Sequence, residues 1–243
     1  MSCFHNDFPH LAFEVLIDDC EDVSGSPSKT INHQCLVIVS RLKNIFEKFN
    51  IKIDISDTNI TRRLFEEDKY PRWVSGAYRK LLAKVDNGAI KPNVVVAKDG
   101  SDQFKTIGAT LATYPKNFKG RYVIYVKARI YYKYITIDKK TVNVFMYGDG
   151  SRKTIVTKDK SSKNFCTMQT ATSFAFGDRF MTKSMGFQNT VEPQGYHDVA
   201  LLVQSDSSVF FKCRINGYQD TLFYQTHRQF YQNCVISGTI DFS

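Results

Sequence analysis

Two aspartates and a glutamine near the end of this 243-residue chain have the types and spacing that ester chemistry could use. VFFKCRINGYQD, starting at Val209, sets above FYQNCVISGTID, starting at Phe230. Cys213 then falls over Cys234, Ile215 over Ile236, Gly217 over Gly238 and Asp220 over Asp241. Each offset is 21 (234 − 213, 241 − 220), within the range of solenoid repeats. In a β-solenoid, equivalent residues of successive coils stack at roughly 4.8 Å, so Asp220 and Asp241 would stand on adjacent rungs. Like charges so placed cannot both ionise easily, and one pKa should rise while the other stays low. One carboxyl could donate a proton while the other acts as nucleophile or base. Gln219 could aim an amide N–H at a developing oxyanion. Aspartate is also favoured in plain turns at rung corners, a role both positions would fit.

Other chemistries fit worse. The six cysteines form no CxxC pair and sit in no His-rich spacing, which argues against zinc. No GxSxG elbow is present, and none of the five histidines accompanies a serine in a nucleophile motif. Gly148-Asp149-Gly150 reads as a turn, because no GK[ST] follows it to make a phosphate loop. Tyr131, Tyr132, Phe174 and Phe176 could stack on sugar rings, and they would equally suit a core or the cover of a sheet.

The elements that must position these residues change class along the chain. Leu36, Val39, Leu42, Ile45, Phe46 and Phe49 recur at three- and four-residue steps, predicting an amphipathic helix within 31–50. Residues 51–91 read as a linker with short helical pieces and the dibasic pair Arg62-Arg63, and Asn59-Ile60-Thr61 matches a glycosylation pattern. From Pro92 onward the runs NVVVA, YVIYVKA, KYITI, VNVFMYG, KTIVT, VALLVQ, SVFFKC and NCVISG alternate with Gly, Asp, Asn and Ser turns. Many short strands without long helices between them predict an all-β domain, and the repeat selects a solenoid over a sandwich or barrel.

A formal net charge of +9 favours anionic partners: nucleic acid, acidic lipid or acidic polysaccharide. No nucleic-acid recognition motif accompanies the charge, and no apolar run is long enough to span a membrane. The first 22 residues carry acids and a histidine where a secretory leader would carry a basic start and a long apolar run. Taken literally that is a cytosolic beginning; the alternative is that the natural start lies upstream.

From about Ile31 to Ser243 the sequence resembles the plant pectinesterases, or pectin methylesterases. GYQDTL at 217–222 and THRQFYQNCVISGTIDF at 226–242 are similar to that family's two central signatures. YPRWVSGAYRKLL at 70–82 resembles the segment before the mature enzyme, and PNVVVAKDGSDQFKTI at 92–107 its mature start. The resemblance implies a right-handed parallel β-helix over 92–243, preceded by a partial inhibitor-like pro-region over 1–50 and a linker over 51–91. Arg62-Arg63-Leu64-Phe65 would be the processing motif. It implies methyl-ester hydrolysis on pectin without metal or cofactor, in a secreted, cell-wall protein. Asp241 would be the nucleophile, Asp220 the general acid and then base, and Gln219 an oxyanion donor. Thr172, Phe174 and His197 would contact substrate, and inhibitor-like proteins would be possible partners. Nucleic acid and membrane would not. A non-catalytic pectin-binding or inhibitor-like role is the alternative, and a pectin lyase or hydrolase a more distant one.

Some positions depart from the family pattern. His197 stands where a second oxyanion glutamine is usual, Arg129-Ile130-Tyr131-Tyr132-Lys133 lacks the Gly and Glu of GxYxE, and Arg179 replaces a turn glycine. With Asp241 two residues from Ser243, and no counterpart of the family's later arginine and tryptophan, an open rung and low esterase activity are expected.

Overall fold

The computed structural model describes the strand Val15–Asp18 and residues 70–238, apart from 87, 164, 192–198 and 226. The predicted helix within 31–50, Asn59, the Arg62-Arg63 pair, His197 and Asp241 lie outside the described residues.

Strands β1 (Val15–Asp18) and β2 (Val94–Val96) come first in chain order. Four complete coils follow, each contributing a strand to three sheets. They are β3 (Tyr122–Val126), β4 (Arg129–Tyr132) and β5 (Ile135–Ile137); β6 (Val144–Gly148), β7 (Thr154–Lys158) and β8 (Ser173–Ala175); β9 (Met181–Lys183), β10 (Gly186–Asn189) and β11 (Leu201–Val203); and β12 (Ser208–Phe211), β13 (Arg214–Asn216) and β14 (Leu222–Tyr224). A fifth begins with β15 (Gln229–Gln232) and β16 (Val235–Ser237). Strands from successive coils pair in parallel, giving a first sheet β1-β15-β12-β9-β6-β3-β2, a second sheet β16-β13-β10-β7-β4 and a third sheet β14-β11-β8-β5. This is the right-handed parallel β-helix that the resemblance implied, with the handedness that parallel crossovers take almost without exception.

Period-two alternation sends one ladder of each sheet inward. Ile124, Met146, Thr182, Phe210 and Tyr231 share register on the first sheet, and Tyr131, Val156, Phe187, Ile215 and Ile236 on the second. All the apolar members belong to one continuous core or pack against it. The Phe210 and Tyr231 rings stack at 4.6 Å between centroids and 8° between planes, as adjacent rungs require. Cys213 and Cys234 stack in that core as two buried thiols, not a disulfide.

The corner from first to second sheet is tight except between β6 and β7, where residues 149–153 intervene. Only Ser184 and Met185 separate β9 from β10, Lys212 and Cys213 separate β12 from β13, and Asn233 and Cys234 separate β15 from β16. In each, the first residue turns the chain in the left-handed region, with φ of 55°, 53° and 52°. For serine and lysine this costs roughly 1 kcal/mol, a cost accepted because the bend lets stacking continue on both sides.

The outward face of the first sheet is apolar and covered. Val123, Phe145, Met181, Val209 and Phe230 form one outward ladder. Helix α1 (Gly76–Asp86) and Val74 pack over it, with Leu82 2% exposed. So the second half of the stretch read as linker is folded against the β-helix. Lys183, fully buried, donates to the Leu82 carbonyl at 2.6 Å and pairs with Asp86 at 2.7 Å, tying helix to sheet. Helix α2 (Ile107–Ala112), capped by the Thr106 hydroxyl accepting from the Ala109 N–H at 3.2 Å, packs by β2 and β5 and closes one end of the core. At the other end β1 pairs in parallel with β15, from Val15 opposite Gln229 to Asp18 opposite Gln232, so the first-sheet edge of β15 is not an open rung.

Candidate active site

The corner from second to third sheet behaves differently from the tight one. It runs from just Lys133 and Tyr134 between β4 and β5 to the long Asp159–Thr172 connection between β7 and β8. Three of the described candidate residues sit on it. Thr172 immediately precedes β8, Gln219 and Asp220 lie between β13 and β14, and in sequence His197 falls between β10 and β11.

Asp220 is fixed by its backbone. Its φ of 57° is left-handed, a conformation aspartate tolerates better than most residues, and it turns the chain from β13 toward β14. The next rung holds that turn in place. Asn216 pairs in register with Ser237, whose hydroxyl donates to the Asn216 side-chain oxygen at 2.7 Å. The Ser237 carbonyl accepts from the Gly217 N–H and from the Thr221 hydroxyl, both at 3.1 Å. The corner bearing Gln219 and Asp220 is therefore clamped to the strand that leads to Asp241. Both residues are partly exposed, in reach of solvent and of a ligand.

Thr172, Ala200 and Thr221 occupy the same step in three successive coils, since Ser173, Leu201 and Leu222 share register. Thr172 is fully buried, and its hydroxyl has no hydrogen-bond partner among the described residues. Phe174 instead faces out on the third sheet, stacked with Phe176 at 5.8 Å and packed with Ala171, Val199, Leu202 and Phe223.

Sequence reasoning named Tyr132 but missed the rest of the outer face of the second sheet, which leads up to Asp220. Its two outward ladders are Ile130, Ile155, Gly186, Arg214 and Val235, and Tyr132, Thr157, Gln188, Asn216 and Ser237. No helix among the described residues covers them. At the first rungs stands an aromatic and cationic platform. Lys158 lies 4.1 Å from the Tyr132 ring centroid and 5.5 Å from that of Tyr134; Lys160 lies 5.6 Å from Tyr134 and 4.0 Å from Phe165. Tyr132, Tyr134 and Phe165 are each at least 40% exposed. Exposed rings beside cations are suited to stacking on a sugar. Period-two alternation in RIYY and RIN was the signal that could have found this face.

Among the described residues no group of His, Cys, Asp and Glu could hold a metal ion, and no helix is long and apolar enough to cross a membrane.

Comparison with known proteins agrees with this geometry. The pectinesterase family model matches residues 93–243. The Arabidopsis thaliana protein named "Probable pectinesterase/pectinesterase inhibitor 13" is 48% identical over 231 residues, covering 94% of this chain and 37% of that protein. Pectinesterase 4 of the same plant is 46% identical over 196 residues, covering 74% of this chain and 33% of its own length. Among solved structures, pectin methylesterase from carrot superposes with a TM-score of 0.61 at 42% identity, covering 63% of this chain and 48% of that one. Pectin methylesterase PemA from Erwinia chrysanthemi gives 0.58 at 25% identity, covering 62% and 50%. The chain thus spans about a third of the curated relatives named here and about half of the solved enzymes. On its fold, its corner geometry and these matches together, this chain belongs to the pectinesterase family.

Proposed function

We propose that the protein removes methyl esters from pectin, with Asp241 as nucleophile and Asp220 as proton donor. The observation that carries this reading is the register of β13 with β16. Asp220 follows Asn216 by four positions and Asp241 follows Ser237 by four, and Asn216 and Ser237 are paired partners. A second corner built like the first would bring the carboxyls together about one rung apart.

In the proposed reaction the Asp241 carboxylate attacks the ester carbonyl of a galacturonate. The Gln219 amide donates to the oxyanion of the tetrahedral intermediate. As that intermediate collapses, the Asp220 carboxyl protonates the departing methoxide, and methanol leaves. Asp220, now ionised, takes a proton from water, which attacks the acyl-enzyme; the acid is released and both aspartates return to their starting states. The platform of Tyr132, Tyr134 and Phe165 lies three strands from β13 on the same sheet, roughly 14 Å at the inter-strand spacing. A single polysaccharide chain laid across the rungs would touch both.

The family setting supports a secreted, cell-wall location and an anionic polymer as substrate, which the positive net charge suits. The domain plan follows the same reading: a partial pro-region over 1–50, a connecting segment over 51–91 with a processing motif at Arg62-Arg63, and the enzyme from 92. Inhibitor-like domains or proteins would be its protein partners.

The test is methanol release from methyl-esterified pectin by purified 1–243 and by a version extended with the further coils of its relatives. Release by either form supports the esterase reading, and release only by the longer form supports the expected weakness of the short one. Binding of pectin with no methanol from either form would favour a non-catalytic pectin-binding role.

A further inference from the structure

The three sheets end differently at the far end of the β-helix. The last coil strands there are β15, β16 and β14. Every residue of β15 is buried, from Gln229 to Gln232, whereas every residue of β16 is partly exposed and β14 buries only Leu222. Among the described residues, only β15 carries a further strand on the side where another rung would stack, and that strand is β1. Val15 pairs with Gln229, Leu16 with Phe230, Ile17 with Tyr231 and Asp18 with Gln232, all in parallel.

That register explains the fit. Phe230 is the last coil residue of the outward ladder under helix α1, and Tyr231 the last of the inward ladder of the core. The sequence Val15-Leu16-Ile17-Asp18 supplies an apolar residue at the position after each, and its two β-branched residues favour a strand. Left uncovered, the edge of β15 would present unpaired N–H and C=O groups beside two apolar ladders, the kind of surface on which other chains pair and aggregate. The two strands are 214 residues apart in register (229 − 15), so β1 comes to the edge from outside the run of coils and after β15 in synthesis. Its pairing is therefore separable from the stacking of the coils. The entropic cost of closing so long a loop grows only with the logarithm of its length, which leaves pairing within one chain accessible.

We infer that the far edge of β15 is an acceptor site for a parallel β-strand, and that Val15–Asp18 is a detachable donor strand that fills it within the same chain. This is strand addition of the kind by which an extended peptide completes an exposed sheet edge, main-chain hydrogen bonds giving affinity and alternate side chains giving selectivity. The site takes an extended segment with two successive apolar residues at the positions after Phe230 and Tyr231. A consequence for the chemistry rests on the esterase reading. Only Asn233 and Cys234 separate β15 from β16, the strand that leads to Asp241. Holding β15 from both sides, by β12 and by β1, steadies the rung on the way to that residue.

The experiment follows amide hydrogen exchange in the full 1–243 chain. Wild type is compared with the double variant Leu16→Asp with Ile17→Asp. The variant is measured alone, with an excess of the synthetic peptide LAFEVLIDD (residues 11–19), and with a scrambled peptide of the same composition. Exchange within Gln229–Gln232 should speed up about tenfold or more in the double variant, while Val144–Gly148 in the middle of the first sheet keeps its protection. The native peptide should restore protection at Gln229–Gln232 and the scrambled one should not. Unchanged exchange there in the variant, or equal rescue by both peptides, would overturn the acceptor site. Loss of protection at Val144–Gly148 as well would make β1 part of the core fold and overturn its detachability. Light scattering supplies a further check: a wild-type dimer that dissociates in the double variant would put the strand of one copy on the edge of another and overturn filling within one chain. No outcome depends on methanol release, so strand docking and the esterase reading can fail separately.

Discussion

The first and second sheets are built from the same rungs, stacked with the same spacing, yet their outer faces have opposite fates. The first presents Val123, Phe145, Met181, Val209 and Phe230 and is buried under helix α1. The second presents Tyr132, Gln188, Asn216 and Arg214 and stays open. Inward-facing residues are alike in both, so the core does not distinguish them. What separates a structural face from a working face is the outward half of the alternation alone. The prediction is that substitutions on one side should move stability and on the other should move chemistry.

The largest expected effect is on the open side. Asp220→Asn keeps a residue that tolerates the left-handed backbone, so thermal stability should stay within about 0.5 kcal/mol of the parent. Methanol release, measured on the form that shows it, should fall about 10²–10⁴-fold, as loss of a general acid typically does. Retained activity would move the chemistry away from this corner.

On the covered side, Leu82→Ala should cost about 2–5 kcal/mol, the range for truncating a fully buried leucine, read as a lower urea midpoint. Oligogalacturonate affinity of the remaining folded protein should be unchanged. A change in affinity at constant stability would mean that helix α1 reaches the open face.

The smallest expected effect sharpens the role of the buried lysine. Lys183 and Lys212 hold the Asp86 carboxyl below its ordinary value, outweighing the burial that would raise it. A carboxylate depressed in the fold stabilises above its unfolded pKa, and that contribution is lost as pH falls through the folded value. Asp86 is about half exposed, so screening limits the gain. Asp86→Asn should therefore cost about 1 kcal/mol at neutral pH, and the difference from wild type should shrink below about pH 4. Urea midpoints of both proteins across pH check this, and a pH-independent difference would assign Asp86 a packing role instead.

The fold was legible in the sequence where corner lengths are constant. Arg214 and Val235 pair at a separation of 21 (235 − 214), which is why the last two coils could be aligned by eye. Gly186 lies 31 beyond its partner Ile155 (186 − 155) and 28 before Arg214 (214 − 186), and so irregular a period hides the earlier coils. Asp220 and Gln219 were legible because they fall in the regular part. The pairing of Val15–Asp18 with β15 was not, because nothing local marks two strands as neighbours when they lie 214 residues apart (229 − 15). The left-handed corners at Ser184 and Lys212 were invisible for another reason: serine and lysine occupy positions where glycine, or asparagine as at Asn233, would have signalled the bend. Arg179 is the instructive exception. It was noted for standing in place of a turn glycine, and its φ of 58° is the reason glycine suits that turn.

The contrast between the two corners bears on how such a chain can change over evolutionary time. The two-residue turns at Ser184, Lys212 and Asn233 repeat unchanged in the later coils, although residues 149–153 fill the same corner between β6 and β7 without disturbing the stack. The second-to-third corner already tolerates connections as different as Lys133-Tyr134 and Asp159–Thr172 without disturbing the stack. The widest variation in length, from two residues to fourteen, falls at the edge of the solenoid where Gln219, Asp220 and Thr172 reside. A lineage can lengthen, shorten or re-chemise that edge and alter what it recognises while its scaffold stays fixed, much as barrel enzymes diversify through the loops on a single rim.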